Sequence, residues 1–302
     1  MPNTLVHLGV QGLCGRPWMR PGDLRWLALG TAVPDVPWVL QRVLRGLGDP
    51  DLLALRAYCV AQSALLVSLL LCGALATLSA RPIRAFAWLG SATLLHLLLD
   101  ALQYKWGNAV LLFAPLSWQS VQWGLAWPEH PLIWVLSALG VVVAIVFRRG
   151  EPPWVPPRAS FRLVLGAGLG LAYLVAPFWL SPAVRGANLH SLQVLSQDAA
   201  RAGKPIAFDR VRYELDPDGG GRIVSWNGEF FAATGRRPAQ PGVLSLRGRF
   251  RDASTIEIVA YHRHYRYARQ VASIVGLILV AWLVGPLRIG PSRLQEALHS
   301  AP

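Results

Sequence analysis

The chain has 302 residues, of which 53% are hydrophobic and only 15% charged, with a mean hydropathy of +0.38. A wholly soluble domain carries about a quarter charged residues, and here long apolar blocks alternate with charged ones, so the composition points to an integral membrane protein with a water-exposed portion. The net charge of +13 is almost all arginine, scattered around the apolar blocks instead of gathered in a tract; this favours contact with the lipid bilayer and topology control over nucleic-acid binding.

Met1 to Arg20 lacks the basic start and apolar core of a signal peptide. Leu24 to Leu40 is apolar but interrupted by Pro34, Asp35 and Pro37, which suits a re-entrant or interfacial helical segment and leaves open whether it crosses the membrane. Ala57 to Ala80 carries no charge and is a spanning candidate, and Ala85 to Tyr104 is a second. Leu111 to Ala126 is Trp-rich and reads as interfacial. Leu132 to Phe147 is a third span, Leu163 to Leu180 a fourth after the Pro-rich linker Gly150 to Pro157, and Val271 to Leu287 a fifth. If these alternate, Arg81, Arg84, Arg148, Arg149, Arg158, Arg162, Arg288 and Arg293 fall on one, cytoplasmic, side; Arg42, Arg45 and Arg56 are the counterweight. Residues 181–270 then lie outside the cytoplasm. There the spacing predicts an amphipathic helix over Asn188 to Ala202, with Leu189, Leu192, Leu195 and Ala199 on one face. Strands are expected over Ile206 to Leu215, Arg222 to Phe231, Val243 to Phe250 and Thr255 to Tyr261, a small antiparallel sheet or an OB-like barrel. The fold class is therefore an α-helical polytopic membrane protein with an inserted small β-rich extracytoplasmic domain. The three cysteines, Cys14, Cys59 and Cys72, form no CxxC and no even framework.

His96 and Asp100 stand one helical turn apart inside an apolar span, and Asp100 is the lone acidic residue between Leu52 and Pro128. A carboxylate there is costly unless paired, protonated or bound to a cation. At i,i+4 the two side chains share a face, which suits either a divalent ion such as zinc or a buried His–Asp hydrogen bond between helices. His7 and Asp35 are lone polar residues in apolar company; taken singly, one reads as a residue near a chain end and the other as a turn or N-cap residue. His262 and His264, in a basic and aromatic block before a span, read better as an interfacial anchor than as a metal pair. No P-loop, nucleophile elbow or dinucleotide fingerprint is present.

Taken together, His7, Pro34-Asp35, His96-Leu-Leu-Leu-Asp100, Gly107 and Phe113-Ala-Pro115-Leu-Ser-Trp118 resemble the bacterial membrane-bound metal-dependent hydrolases, inner-membrane relatives of the zinc-dependent phospholipase C and P1-nuclease group. The resemblance covers residues 1–130. It implies metal ligation by His7, Asp35, His96 and Asp100, with Asp35 as ligand or general base. It departs in two places: Pro37 stands where the family often has a second Asp, and Gln62 where it has a histidine. Gln62 is then expected to orient substrate or the ion's water, and Gln103 could do the same. The expected organisation is a hydrolase-like helical domain over 1–150, a linker and transmembrane helix over 151–180, the extracytoplasmic α+β domain over 181–270, and a C-terminal helix and tail over 271–302. The expected function is metal-dependent hydrolysis of a phosphoester or lipid-linked substrate at the outer face of the bacterial inner membrane. The alternative is a non-catalytic scaffold whose β-rich domain binds a partner protein or envelope polymer.

Overall fold

The computed structural model describes residues 4–148, 160–187, 191–197, 200–265 and 267–285. Among the described residues up to 187 the helices are α1 (Thr4–Gly15), α2 (Leu24–Ala32), α3 (Val36–Leu47), α4 (Leu52–Gln62), α5 (Leu65–Ala76), α6 (Pro82–Ala101), α7 (Pro131–Arg148) and α8 (Ser160–Gly186). A short α9 (Leu192–Leu195) precedes five strands, β1 (Pro205–Leu215), β2 (Gly221–Val224), β3 (Phe230–Gly235), β4 (Gly242–Phe250) and β5 (Thr255–His264), and α10 (Ala268–Val284) follows. Among the described residues two helices, α6 and α8, are long and apolar enough to cross a membrane; α7 and α10 are apolar but shorter.

Pro34 and Asp35 break the apolar stretch 24–40 as their chemistry demands. A single 3-10 turn, Val33–Asp35, separates α2 from α3. The uninterrupted span expected over Ala57 to Ala80 is instead two helices, α4 and α5, bent by 69°. Ser63 explains the break. Its hydroxyl donates to the Val60 carbonyl at 3.0 Å, and the next residue, Ala64, is extended. Asp51 caps the start of α4, its carboxylate accepting from the Leu53 and Ala54 amides at 2.9 and 3.0 Å. The Trp-rich segment forms no helix. Between α6 and α7 it runs as irregular chain pinned by the bridges Gln103–Ala126 and Val110–Val121.

Helix contacts place α1 and α2 against α6. Gly30 on α2 is pressed so closely on α6 that a Cβ there would stand 2.4 Å from the Leu89 carbonyl oxygen. On the other side of α1, Gly9 and Gly140 let α7 approach to backbone contact. The apolar side chains Leu8, Leu24, Leu27, Ala92 and Val280 close the space between these helices.

The strands form a closed barrel in the order β1-β2-β3-β5-β4, antiparallel except for the β3–β5 pair. Five strands form where four were expected, because Arg222 to Phe231 is a hairpin and not one strand. Asn227-Gly228 turns the chain, with Gly228 at φ +88°. Phe208, Tyr213, Ile223, Phe231, Leu244, Phe250 and Ile256 fill the interior. The helix expected over Asn188 to Ala202 is confined, among the described residues, to α9; Leu189 and Ala199 lie outside them. Val194 and Leu195 plug the barrel, while Leu192 packs with Ala57 and Val184 on the helical side. Between the two parts the Arg56 guanidinium lies over Trp38 at 4.7 Å and Trp226 at 5.1 Å. The Arg149 and Arg158 of the expected topology, the linker 150–157 and the tail with Arg288 and Arg293 lie outside the described residues.

Candidate metal centre

Four polar residues from three elements meet in the apolar packing of α1, α2 and α6. His7 and His96 are fully buried, and Asp35 and Asp100 nearly so. The two imidazoles stack, with centroids 3.7 Å apart and planes 5° from parallel. His7 Nε2 lies 3.5 Å from Asp100 Oδ1. His96 Nε2 lies 3.5 Å from Asp35 Oδ1 and 3.8 Å from Asp100 Oδ2. These separations are too long for good hydrogen bonds. They are close to those of ligands around one small ion. Two atoms each about 2.1 Å from a tetrahedral ion stand about 3.4 Å apart. His7, His96 and Asp100 each bring an atom within 4.8 Å of the other two. Asp35 adjoins this trio through His96, and its other oxygen faces Thr4 Oγ1 at 3.5 Å.

The hydrogen bonds around the cluster fix the tautomer of His96. Its Nδ1 lies 2.7 Å from the Thr31 carbonyl oxygen, which can only accept, so Nδ1 carries the proton. A neutral ring then presents a bare lone pair at Nε2, aimed at two carboxylates. Both ring nitrogens of His7, Nε2 of His96, Asp35 Oδ1 and Asp100 Oδ1 are buried without a hydrogen-bond partner. A supporting network holds the helices in register: Thr31 donates to Gln11 Oε1 at 2.6 Å, and Gln11 Nε2 donates to the Ala92 carbonyl at 3.1 Å.

Lys105 is the member that inspection of the sequence missed. Its ammonium contacts Asp100 at very short range and is itself buried. The signal was present: Lys105 is the only lysine or arginine between Arg84 and Arg148. A pocket of about 30 Å³ reaches Asp100 and Lys105 past Pro34, Ser63 and Asn108, room for a water but not for a lipid headgroup. Gln62 is buried at the end of α4, with Nε2 donating to the Tyr58 hydroxyl at 3.2 Å and Oε1 unpartnered; its neighbour Ser63 lines the pocket. Gln103 is buried with Oε1 unpartnered. Gly107 and Asn108 meet the barrel: a Cβ on Gly107 would fall 2.1 Å from the Ala207 carbonyl oxygen, and Asn108 donates to Asp209 Oδ2 at 3.1 Å.

No family model, curated protein or solved structure matches the chain.

A second cluster lies at the foot of the barrel. Glu129, just ahead of α7, faces His262 and His264 of β5. Burial alone would push the Glu129 carboxyl up, but His262, His264 and Arg210 outweigh it and hold it well below the usual carboxylate range. Asp209 likewise stays ionised, burial being outweighed by Arg269 and Arg210. Arg210 sits at φ +59°, in a bulge where the β1–β4 register shifts between Phe208 and Val211, and burial lowers its guanidinium to about 10.

Proposed function

We propose that this chain is a multi-pass protein of the bacterial inner membrane that hydrolyses a phosphoester or lipid-linked substrate at the outer face, using a divalent ion of the zinc type held by His7, Asp35, His96 and Asp100. The geometry that carries the reading is Nε2 of His96, its ring oriented by Thr31, facing Asp35 at 3.5 Å and Asp100 at 3.8 Å. Carboxylates and imidazoles are the ligand types of such a cation, and the spacing of His7, His96 and Asp100, with Asp35 adjoining through His96, is compatible with one ion. The order of these residues along the chain, similar to the membrane-bound metal-dependent hydrolases, supports the same reading.

When bound, such an ion lowers the pKa of a water to about 7 and polarises a phosphoryl oxygen. Asp35 is the outlying member, and serves as fourth ligand or as the base that accepts the water's proton. Lys105, which lines the pocket beside Asp100, would face a phosphoryl oxygen at the pocket's mouth. Gln62 supplies an unpartnered amide oxygen near the pocket wall for orienting that water. The pocket of about 30 Å³ has room for the attacking water, and the scissile group of a lipid-linked substrate would sit at its mouth. The barrel is of the OB type, supported by its strand order and its one parallel pair, and faces the same outer side.

The test is turnover of a phosphomonoester and phosphodiester panel by zinc-loaded protein in detergent. The wild type is expected to turn over at least one class, and both chelation and His96→Gln to reduce it to the metal-free background. Equal rates in wild type and His96→Gln overturn the proposal. One observation favours a second reading: the Lys105 ammonium already neutralises Asp100. In that reading the cluster is a structural ion network, and the helices are a scaffold on which the barrel binds a partner protein or envelope polymer.

A further inference from the structure

We propose that Glu129, His262 and His264 form a second divalent-metal site, of the zinc type, that clasps the last barrel strand to the segment ahead of α7. The inference stands on its own geometry and holds whether or not the His96 cluster takes an ion.

His262 and His264 are two residues apart on β5, so their rings lie on one side of the strand. His262 Nε2 is 3.1 Å from Glu129 Oε2, and His264 Nδ1 is 2.8 Å from Glu129 Oε1. The three residues each offer a ligand atom within 4.8 Å of the others. The protons around them can be placed. Ser245 has one hydroxyl proton, and its Oγ lies 2.9 Å from Asp209 Oδ1, a carboxylate oxygen that accepts. Ser245 therefore donates to Asp209. His264 Nε2, at 2.7 Å from the same hydroxyl oxygen, must then be the donor. A singly protonated ring then turns its Nδ1 lone pair toward Glu129, and a cation at the convergence of the two rings and the carboxylate would be bound by all three.

The surroundings are those of a metal-ligating histidine. The chain His264–Ser245–Asp209 orients the ring from behind. Trp127 stacks on His262 at 3.8 Å with planes 5° apart and fixes the second ring. Arg210 also touches Glu129 Oε1, at 3.2 Å, the oxygen that faces His264, while Oε2 faces His262. Three protein ligands leave a fourth position open. The three residues border a cleft of about 780 Å³, also walled by Arg212, Glu214, Arg263 and Tyr265, from which a water could supply that ligand.

The test uses full-length protein in detergent, stripped with chelator, dialysed and titrated with Zn²⁺ alone. Wild type is expected to retain one more equivalent than His262→Gln or Glu129→Gln, with far-UV circular dichroism showing that each variant is folded. The difference is read against wild type, so it is independent of any ion at His96. A second measurement needs no variant: diethyl pyrocarbonate should modify His262, located by peptide mass spectrometry, in stripped protein and not in zinc-loaded protein. Equal zinc in all three proteins, or equal modification with and without zinc, overturns the site and leaves the histidines as proton-carrying partners of Glu129.

Discussion

The proton on His96 Nδ1 decides what the opposite side of that ring can do. With Thr31 accepting from Nδ1, only a cation or a second proton reconciles Nε2 with Asp35 and Asp100. Lys105 separates the two readings of this cluster. Removing one partner of a buried ion pair costs about 3–5 kcal/mol. Lys105→Met should therefore lower the unfolding temperature of stripped protein, because Asp100 is left unpaired. Under the hydrolase reading, excess zinc restores the wild-type value; in a structural network it does not. Thermal unfolding of both proteins with and without zinc decides between them. His7, Asp35, His96 and Asp100 were legible in the sequence because each is a polar residue isolated in apolar surroundings. Lys105 carries the same mark, as the one lysine or arginine between Arg84 and Arg148, whereas Thr31 and Gln11 carry none until α1, α2 and α6 are packed. Glu129 was invisible as a partner of His262, more than 130 residues away, since only the barrel's docking brings them together.

At the scale of elements, the site depends on how closely α2 can lie on α6. Gly30→Ala places a Cβ 2.4 Å from the Leu89 carbonyl oxygen, inside contact distance. Overpacking of this kind costs about 1–3 kcal/mol, and here it also moves Thr31 from His96. The variant should unfold at lower temperature and bind zinc more weakly; wild-type values for both would show that α2 does not position the ring. In the barrel, Phe231 is buried between Phe208 and Phe250. Phe231→Ala should cost about 3–5 kcal/mol, read as loss of the barrel's cooperative transition in chemical denaturation. Three strands were legible from alternation. The Arg222 to Phe231 hairpin was not, because Val224 and Phe230 continue the apolar run across the turn and the Asn227-Gly228 signal sits inside it. The break between α4 and α5 was hidden for a related reason: Ser63 is a single hydroxyl in an apolar block, and its effect comes from one bond to the Val60 carbonyl.

For the whole molecule, the barrel and the helices share one interface. Arg56 between Trp38 and Trp226, Asn108 on Asp209 and Glu129 on His262 all join them. The proposed topology puts that interface at the outer membrane-facing side, above the pocket that leads to Asp100. Asp218 lies exposed in the turn between β1 and β2. Asp218→Cys should react with a membrane-impermeant maleimide in intact spheroplasts; protection until lysis would place the barrel in the cytoplasm. Composition alone made the alternation of apolar and charged blocks plain, but not how the two parts dock, since the contacts pair residues far apart in the chain.

The central claim is that the buried cluster holds a metal ion. Its most direct test is elemental analysis of detergent-purified protein, comparing wild type with His96→Ala and Asp100→Ala. About one equivalent of zinc or another transition metal, present in the wild type and missing from both variants while His262 and Glu129 are intact, is the predicted result. A wild type that holds no more metal than either variant, even after incubation with zinc, would contradict it.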